Sequence, residues 1–384
     1  MRKVEKEKQF DILICGGGAS GLLLAHALIQ DSFFASFSIG LIEKEEKTTN
    51  DRTWCYWETG TGDWDQVASK RWSKAKVKAT GFESNFQLDP YAYKMIRGLD
   101  FYNTVYDTLK EAKNCTLIYD EILELIPNKK NTSVRTKNST YTSAKVFSSL
   151  PNNAHLNQTK YPVLQQHFVG WFVQTENPIF DPETIVFMDF DLPQKNNTRF
   201  MYVLPFSAHE ALVEYTLFSK DLLETSEYET AIDDYLKANN AGNVEIKEKE
   251  AGSIPMTAYN FEQHNHANLL NIGTAGGWTK ASTGFTFQKS VRKIKRLVEF
   301  LKNQKPLYQF NRFSKFNFFD MLFLDVLAKH NKDGHRLFTR MFQKNSPQRI
   351  FTFLDERTNW RQEVLLMSSF PVGRFLTALI RRIF

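Results

Sequence analysis

The segment FDILICGGGASGLLLAHALIQ, residues 10–30, decides the fold. It opens with a largely apolar run at residues 10–15, as expected of a strand that is buried in a parallel sheet. Three glycines with the spacing Gly-x-Gly-x-x-Gly follow at residues 16–21, and residues 22–30 have helical character. A glycine-rich turn between a strand and a helix is typical of dinucleotide sites. The segment therefore predicts a Rossmann-like domain.

Each glycine of this turn has its own role. Gly16 permits the tight turn, Gly18 lets the backbone approach a pyrophosphate, and Gly21 lets the helix and the strand pack closely. The diphosphate charge then lies at the N-terminus of the helix. The predicted nucleotide cradle comprises Gly16, Gly17, Gly18, Ala19, Ser20 and Gly21.

A second apolar run, FSIGLI at residues 37–42, predicts the next strand of the same sheet. It ends in Glu43, which lies 22 residues after Gly21. An acidic residue at this distance accepts hydrogen bonds from the hydroxyl groups of a ribose. The order of strand, glycine turn, helix and acid makes this the firmest functional site in the sequence.

A later segment, NLLNIGTAGGWTKASTGFTF at residues 268–287, combines a short apolar strand, a glycine-rich loop and the start of a helix. It resembles the segment with which flavoproteins of this architecture return to their nucleotide domain. Many of those flavoproteins have an aspartate directly after the first glycine, where this chain has Thr274. The resemblance adds five residues to the predicted cofactor site, namely Gly273, Thr274, Gly276, Thr283 and Gly284.

Four apolar runs rich in β-forming residues lie between these two halves, separated by turn residues. They predict an antiparallel sheet that forms a second lobe, and the last hundred residues show longer, helix-like spacing. The expected fold class is mixed α/β, or α+β overall. The expected division is a dinucleotide-binding domain at 1–165 completed by 252–300, a substrate domain at 166–251, and a helical, basic region at 301–384.

Two carboxylates interrupt the predicted strands. In ALVEYTLF, alternation puts Leu212, Glu214, Thr216 and Phe218 on one face of the strand, and in IVFMDF it puts Asp189 on the face of Phe187. A carboxyl group among apolar neighbours has a raised pKa and can hold a proton near neutral pH, as an acid catalyst must. Alternatively, each carboxylate faces solvent on an exposed sheet.

The basic residues are unevenly distributed. Residues 289–384 hold 20 Lys+Arg against 7 Asp+Glu, a net +13, whereas the rest of the chain carries a net −7. Such a region suits an anionic partner, either a nucleic acid or a membrane surface, and a solvated helical face is the simpler alternative. The chain has no nucleic-acid recognition module, so we expect no nucleic acid partner.

Three features bear on the compartment. The cysteines, Cys15, Cys55 and Cys115, are odd in number and lack metal-ligand spacing, so a reducing compartment and no metal site are expected. The charged start, MRKVEKEKQ, has no apolar core of a signal peptide, and no apolar stretch reaches the ~18 residues of a transmembrane helix. We therefore expect a cytoplasmic protein, either soluble or peripherally associated with the membrane.

Over nearly its whole length the chain resembles the flavin-binding lycopene cyclases of carotenoid biosynthesis. The resembling segments are GGGASGLLLA, DRTWCYWE, DPYAYKMIRGLDF, HFVGWFV, VFMDFD, RFMYVLPFSAHEALVEYT and GTAGGWTKASTGF. The resemblance implies that Glu214 is the catalytic glutamate of the family's acidic signature and that Asp189 belongs to a second acidic motif. The family's signature has a second acidic residue directly after this glutamate, and this chain has Tyr215 at that position. Arg97, in DPYAYKMIRGLDF, is an expected cofactor contact.

The resemblance implies that the protein is a lycopene beta-cyclase, an isomerase that folds the linear ends of lycopene into β-ionone rings. The reaction involves no net redox change, yet it requires FAD in its reduced form, with NAD(P)H as the reductant. A carboxylic acid protonates the terminal double bond, and aromatic faces stabilise the resulting cation. The 33 Phe, 14 Tyr and 7 Trp of the chain suit such a pocket, although they equally suit a core.

Two other functions fit the same glycine-rich motifs. A FAD-dependent monooxygenase or a prenyl reductase acting on an apolar substrate shares this fold and uses the flavin for net redox chemistry. A non-catalytic flavoprotein that binds lipid or nucleic acid through its basic region is the second alternative. In the membrane-facing region, the segment SSFPVGRFLTALIRRIF at residues 368–384 mixes apolar and basic residues. As a helix, residues 373–384 put Phe375, Leu376, Leu379 and Ile380 in one apolar stripe, either lying in the membrane interface or docked on the body.

Overall fold

The computed structural model describes residues 8–310 and 314–383. Within these ranges the α-helices are α1 Ala19–Gln30, α2 Gly98–Glu111, α3 Thr225–Ala238, α4 Phe287–Leu301, α5 Lys315–Lys329, α6 Gly334–Lys344, α7 Pro347–Leu354, α8 Trp360–Met367 and α9 Val372–Ile383. The strands are β1 Lys8–Cys15, β2 Ile39–Glu43, β3 Thr53–Thr59, β4 Ala68–Trp72, β5 Lys74–Ala79, β6 Phe82–Gln87, β7 Tyr91–Arg97, β8 Cys115–Tyr119, β9 Ile122–Pro127, β10 Thr132–Thr136, β11 Thr140–Ser148, β12 Leu164–Thr175, β13 Thr184–Asp189, β14 Thr198–Pro205, β15 Glu210–Ser219, β16 Val244–Met256 and β17 Leu269–Asn271.

The first sheet is the predicted nucleotide-binding sheet. Its strands β8, β2, β1, β11 and β17 are neighbours in that order, and every pair among them is parallel. β10 and β9 extend β11 as an antiparallel meander. The apolar faces of α1, α2 and α4 share one core with this sheet, because each helix buries apolar side chains along one face. The expected Rossmann-like architecture is confirmed.

The second sheet has the order β16-β12-β15-β14-β13-β5-β6. All its pairs are antiparallel except β13 with β5. The four strands predicted from the middle of the sequence lie here as β12, β13, β14 and β15. The sheet also contains β5 and β6, which lie within residues 1–165, and β16, which continues beyond residue 251. The sheets therefore do not follow the expected bounds strictly, and the three-part division of the chain stays a prediction.

The second sheet has helices on both faces. One face packs against α3, through Tyr228, Ile232 and Leu236. The opposite face meets the C-terminal helices α5–α9 in a core rich in phenylalanine. The three-stranded sheet β3-β7-β4 lies between the two lobes, since Trp57 of β3 packs in the core of the second sheet and Tyr56 packs in the core of the first. The C-terminal region is helical, as expected.

The C-terminal helices are short. No single helix of the described residues is long and apolar enough to cross a membrane. The consecutive helices α8 and α9 reach the necessary length and hydrophobicity only when they are taken together, and the chain bends by 115° between them. α9 covers most of the amphipathic segment predicted at residues 368–384, of which Phe384 lies outside the described residues.

Candidate active site

A single cavity of about 1470 Å³ runs from the glycine turn of β1 and α1 to the C-terminal helices α8 and α9. It passes over the face of the second sheet that carries Glu214. The cavity therefore joins the predicted nucleotide cradle to the predicted acid, two features that are almost 200 residues apart in the sequence.

The glycine turn has the geometry that a pyrophosphate requires. Gly16 has a φ of +104°, a conformation that favours glycine, and it packs against Ser149. A Cβ atom at Gly18 would meet no atom within 4 Å, so Gly18 faces open space in the cavity. A Cβ atom at Gly21 would collide with the carbonyl oxygen of Gly16. These three positions match the roles expected from the spacing.

Glu43 lies at the end of β2 and lines the cavity. Its Oε2 atom accepts a hydrogen bond from the backbone N–H of Gly17, and its Oε1 atom accepts one from the N–H of Lys44 at 2.9 Å. These bonds fix the carboxylate beside the glycine turn. Each oxygen keeps a lone pair that a ribose hydroxyl could use.

The late glycine-rich loop closes the other side of this end of the cavity. Gly273 has a φ of +62° and packs closely on Ser20 of α1, whose hydroxyl donates to Ser290 of α4 at 3.1 Å. Gly276 packs on the backbone of Asn271 and has no contact with the cavity. Thr274, Thr283 and Gly284 line the cavity beside Gly273. The loop is therefore held against the glycine turn of β1.

Two buried polar atoms support a bound group in this part of the cavity. The hydroxyl of Thr283 and the Oε1 atom of Gln166 are buried and find no hydrogen-bond partner among the described residues. Both residues line the cavity. Because a buried polar group without a partner is costly, these atoms fit a polar ligand such as the ring system of a dinucleotide cofactor.

Nine of the predicted cofactor residues line the cavity: Gly16, Gly18, Ala19, Ser20, Glu43, Gly273, Thr274, Thr283 and Gly284. Two basic side chains that were not expected from the sequence, Lys47 and Arg52, line the same end of the cavity. They follow β2 in the chain, and Arg52 belongs to the DRTWCYWE segment that marked the resemblance. Residues 44–52 mix three basic with three acidic side chains, so the sequence carried no clear signal for these two.

The expected contact of Arg97 with the cofactor stays a prediction, and the structure gives this side chain other partners. Arg97 does not line the cavity. Its guanidinium group pairs with both carboxylate oxygens of Glu248 at 2.6 Å and lies 4.1 Å from the ring centre of Phe172. The ion pair with Glu248 and the contact with the ring of Phe172 hold the Arg97 side chain against the second sheet.

The face predicted for Glu214 is confirmed. Leu212, Glu214, Thr216 and Phe218 of β15 all line the cavity. Glu214 is only 7% exposed, and its carboxylate accepts a hydrogen bond from the hydroxyl of Thr216. Burial raises the pKa of Glu214 to about 8, with a further contribution from the negative charge of Glu250. This carboxyl group therefore holds a proton at neutral pH.

The prediction that Asp189 shares the face of Phe187 is wrong. Phe187 lines the cavity, but Asp189 does not. The pairing of β13 with β14 shifts between Val186 and Asp189, and this irregularity turns Asp189 to the face covered by α3. There its carboxylate accepts a hydrogen bond from the hydroxyl of Tyr235 at 3.2 Å.

Tyr215, at the position of the family's second acid, also faces away from the cavity. It is 2% exposed on the α3 side of β15, and its hydroxyl accepts a hydrogen bond from Arg199 at 2.8 Å. Alternation along the strand requires this, because Glu214 occupies the cavity face. The residue at this position therefore does not contribute an acid to the cavity.

Beyond Glu214 the cavity becomes aromatic. Its walls here come from the second sheet, from the late loop and from the C-terminal helices. The phenylalanines that line it are Phe187, Phe200, Phe218, Phe285, Phe318, Phe319, Phe323, Phe338, Phe342, Phe353, Phe370 and Phe375. A good part of the aromatic surplus of the chain thus lines the cavity, and the rest packs in the cores.

A buried ion cluster connects the two walls. Lys280 of the late loop is 2% exposed and pairs with Asp320 of α5 at 2.9 Å and with Glu356 at 3.4 Å. Glu356 also pairs with Lys289 of α4 at 2.7 Å. Buried charges persist only when they are paired in this way. The cluster therefore positions the helical wall relative to the loop that carries Thr283.

The cavity reaches the surface between α8 and α9. Three of its lining residues, Val364, Val372 and Leu376, are 57%, 59% and 50% exposed. The predicted stripe of α9 is divided, because Phe375 and Leu379 are half-buried and line the cavity, whereas Leu376 lies exposed at its mouth and Ile380 is exposed outside it. The helix docks on the body, and Arg382 forms a bidentate pair with Asp325 of α5 at 2.6–2.7 Å.

Solved structures show where this fold has been seen before. A geranylgeranyl bacteriochlorophyll reductase-like protein from Thermoplasma acidophilum superimposes with a TM-score of 0.58 at 12% identity, covering 97% of this chain and 96% of that one. A halogenase PltM variant in complex with FAD superimposes with a TM-score of 0.60 at 10% identity, covering 96% and 86%. At these identities the likeness establishes the fold alone, which is that of FAD-dependent oxidoreductases and halogenases.

Sequence relatives are more specific. A lycopene beta-cyclase from Pseudescherichia vulneris is 23% identical over 318 residues, which cover 79% of this chain and 77% of that protein. A lycopene beta-cyclase from Paracoccus sp. is 29% identical over 126 residues, 32% of each chain. The model of the lycopene cyclase protein family matches residues 11–380. With a match that spans both lobes and the whole cavity, the chain belongs to the lycopene cyclase family.

Proposed function

We propose that the protein is a lycopene beta-cyclase, an isomerase that closes the linear ends of lycopene, or of a related acyclic carotenoid, into β-ionone rings. The observation that carries the proposal is the environment of Glu214. Its carboxyl group is protonated at neutral pH and lies in an aromatic cavity continuous with a dinucleotide cradle. A hydrocarbon substrate offers only double bonds to a protein, so a proton donor in an apolar cavity is the group its chemistry needs.

The first step is proton transfer from Glu214 to the terminal trisubstituted double bond of the substrate. This leaves a tertiary cation, which the neighbouring internal double bond attacks to close the ring. Loss of one ring proton then restores a neutral hydrocarbon with the atoms of the substrate. Because one proton is added and one is removed, the reaction needs no net oxidation or reduction.

The walls of the cavity suit such a cation. Tyr202 pairs with Glu214 on the neighbouring strand, and Phe200 pairs with Thr216 on the same face. Phe285 of the late loop stacks on Phe187, which also lines the cavity. The negative face of each aromatic ring attracts a nearby cation by about 0.5–2 kcal/mol. The same apolar walls exclude water, which would otherwise capture the cation as an alcohol.

FAD is the proposed cofactor, in its reduced form and with NAD(P)H as the reductant. Gly18 and the N-terminus of α1 would hold the diphosphate, Glu43 the ribose, and Thr274, Thr283 and Gln166 the polar edge of the ring system. When bound, reduced FAD supplies an electron-rich, anionic ring system that stabilises positive charge nearby. These residues bind and orient the cofactor, and they are distinct from the proton donor.

The substrate is proposed to enter from a membrane surface. Lycopene resides in the bilayer, and the cavity reaches the surface between α8 and α9 among exposed apolar side chains. The net +13 of residues 289–384 favours an anionic lipid surface, at about 1 kcal/mol for each basic side chain near it. In this proposal residues 1–165 with 252–300 hold the flavin, 166–251 the substrate, and 301–384 face the membrane.

Expression in a lycopene-accumulating bacterium, followed by pigment chromatography, tests the function. We expect a product with the mass of lycopene and β-ionone ends, formed without oxygen. NAD(P)H should be consumed only to reduce the flavin once. Stoichiometric consumption of oxygen or of NAD(P)H would instead identify a FAD-dependent monooxygenase or a prenyl reductase.

A further inference from the structure

A second carboxylate lies beside Glu214 in the cavity. Gly170 of β12 pairs with Glu214 of β15 on one side and with Glu250 of β16 on the other. A Cβ atom at Gly170 would lie 3.2 Å from the Cγ atom of Glu250 and 3.5 Å from the Cβ atom of Glu214. Because Gly170 has no side chain, the side chains of Glu214 and Glu250 flank the same position of the middle strand, close enough for the charge of one to affect the other. Both line the cavity.

The two carboxylates have different surroundings. Glu250 accepts a hydrogen bond from the hydroxyl of Thr53 at 2.6 Å. Burial raises the pKa of Glu250, whereas this hydrogen bond and the charge of Arg97 oppose the rise. The negative charge of Glu250 in turn raises the pKa of Glu214. Two adjacent carboxyl groups share one proton more readily than they carry two charges, so Glu214 is the acid and Glu250 the carboxylate of the pair.

The other titratable groups near this pair do not offer a base. Burial raises the pKa values of Cys55, Tyr93 and Tyr202, which line the cavity here and stay protonated at neutral pH. Asp320 also lines the cavity, but it is paired with Lys280 at 2.9 Å. Among the described residues that line this section, Glu250 is, besides Glu214, the carboxyl group that no lysine or arginine contacts directly.

We propose that Glu250 is the catalytic base that removes the ring proton after cyclisation. The inference rests on the proposed cyclase function. Glu214 gives its proton to the terminal double bond and becomes a carboxylate, the ring closes, and the ring C–H bond then breaks. Its electron pair forms the ring double bond, and its proton passes to Glu250. A proton transfer from Glu250 back to Glu214 restores the starting state, so the cycle balances without another reactant.

The position of the base also determines the product. The cyclised cation can lose a proton from more than one carbon, and each choice gives a different ring double bond. A carboxylate held at one point of the cavity selects the nearest of these protons. Glu250 is therefore expected to control the ring type as well as the rate.

Replacing Glu250 with glutamine tests the proposal, with E245Q on the exposed part of β16 as the matched control. We expect E250Q to keep its flavin and to form the β-ring product more than tenfold more slowly, with other ring types enriched. E250D should regain part of the activity because it keeps the carboxylate. The groups that face Glu250, and so influence its titration, are Arg52, Thr53, Arg97, Glu214 and Glu248.

Each variant is measured at its own optimum pH, because removing the charge of Glu250 lowers the pKa of Glu214. If E250Q at a lower pH forms the same product within tenfold of the wild-type rate, Glu250 only tunes Glu214 and the base assignment is overturned. If the wild-type protein does not cyclise lycopene, the proposed function fails. If the wild type is active, E214Q is inactive and E250Q is fully active, the base assignment alone fails.

Discussion

Replacing Glu214 with glutamine should abolish catalysis and stabilise the protein. Glutamine keeps the shape of the side chain but has no proton to donate, so product formation should fall by about 10²–10⁴-fold. Flavin content should be unchanged, because Glu214 lies on the second sheet and the predicted flavin contacts surround the first. E210Q, at the exposed start of the same strand, is the matched control.

The gain in stability follows from the raised pKa. The unfolded chain releases this proton near the ordinary value of 4.5, whereas the folded protein holds it until about pH 8. Folding therefore takes up a proton between these values, and the folded state loses stability as the pH rises through this window. At 1.36 kcal/mol per unit, the loss is about 1 kcal/mol at pH 5, about 3 at pH 7 and about 4 at pH 8. Glutamine does not titrate and avoids this loss.

Thermal unfolding measures the difference. A chain of 384 residues has an unfolding entropy of about 0.8 kcal/mol per kelvin. The Tm of E214Q should therefore exceed that of the wild type by about 1 °C at pH 5 and by about 5 °C at pH 8. E210Q should show no such trend. A Tm difference that does not grow with pH, together with wild-type turnover of E214Q, would refute both the burial and the role of this carboxyl group.

Three further variants test the rest of the site. G18V should fold, because a Cβ atom at Gly18 meets no atom within 4 Å, but its side chain fills the space for the pyrophosphate, and purification with full flavin occupancy would contradict that site. D189N should keep activity within about fivefold of the wild type in the pigment assay, since its carboxylate faces α3, and a much larger loss would return Asp189 to the catalytic residues. The double variant L376E/I380E should lower binding to anionic liposomes in a sedimentation assay, because it puts charge on the outer face of α9. Wild-type binding by that variant, or equal binding of the wild type to neutral and anionic vesicles, would contradict the proposed membrane surface.

The sequence alone determined the features that depend on local geometry. A strand, a glycine turn and a helix form a phosphate cradle from consecutive residues, so the roles of Gly16, Gly18 and Gly21 followed from their spacing. Alternation along one regular strand likewise put Glu214 among apolar neighbours. The resemblance to lycopene cyclases was carried by such short segments, and the family match over residues 11–380 agrees with it.

The tertiary structure decided which distant side chains meet. The irregular pairing of β13 turns Asp189 away from the cavity, and Glu248 on another strand forms an ion pair with Arg97. Glu250 lies near Glu214 only because β12 puts Gly170 between their strands. Strand order and register depend on the packing of the whole sheet, so the residues flanking each carboxylate carry no signal of its partner. For this reason the sequence identified one acid of the cavity, and the fold supplied the second.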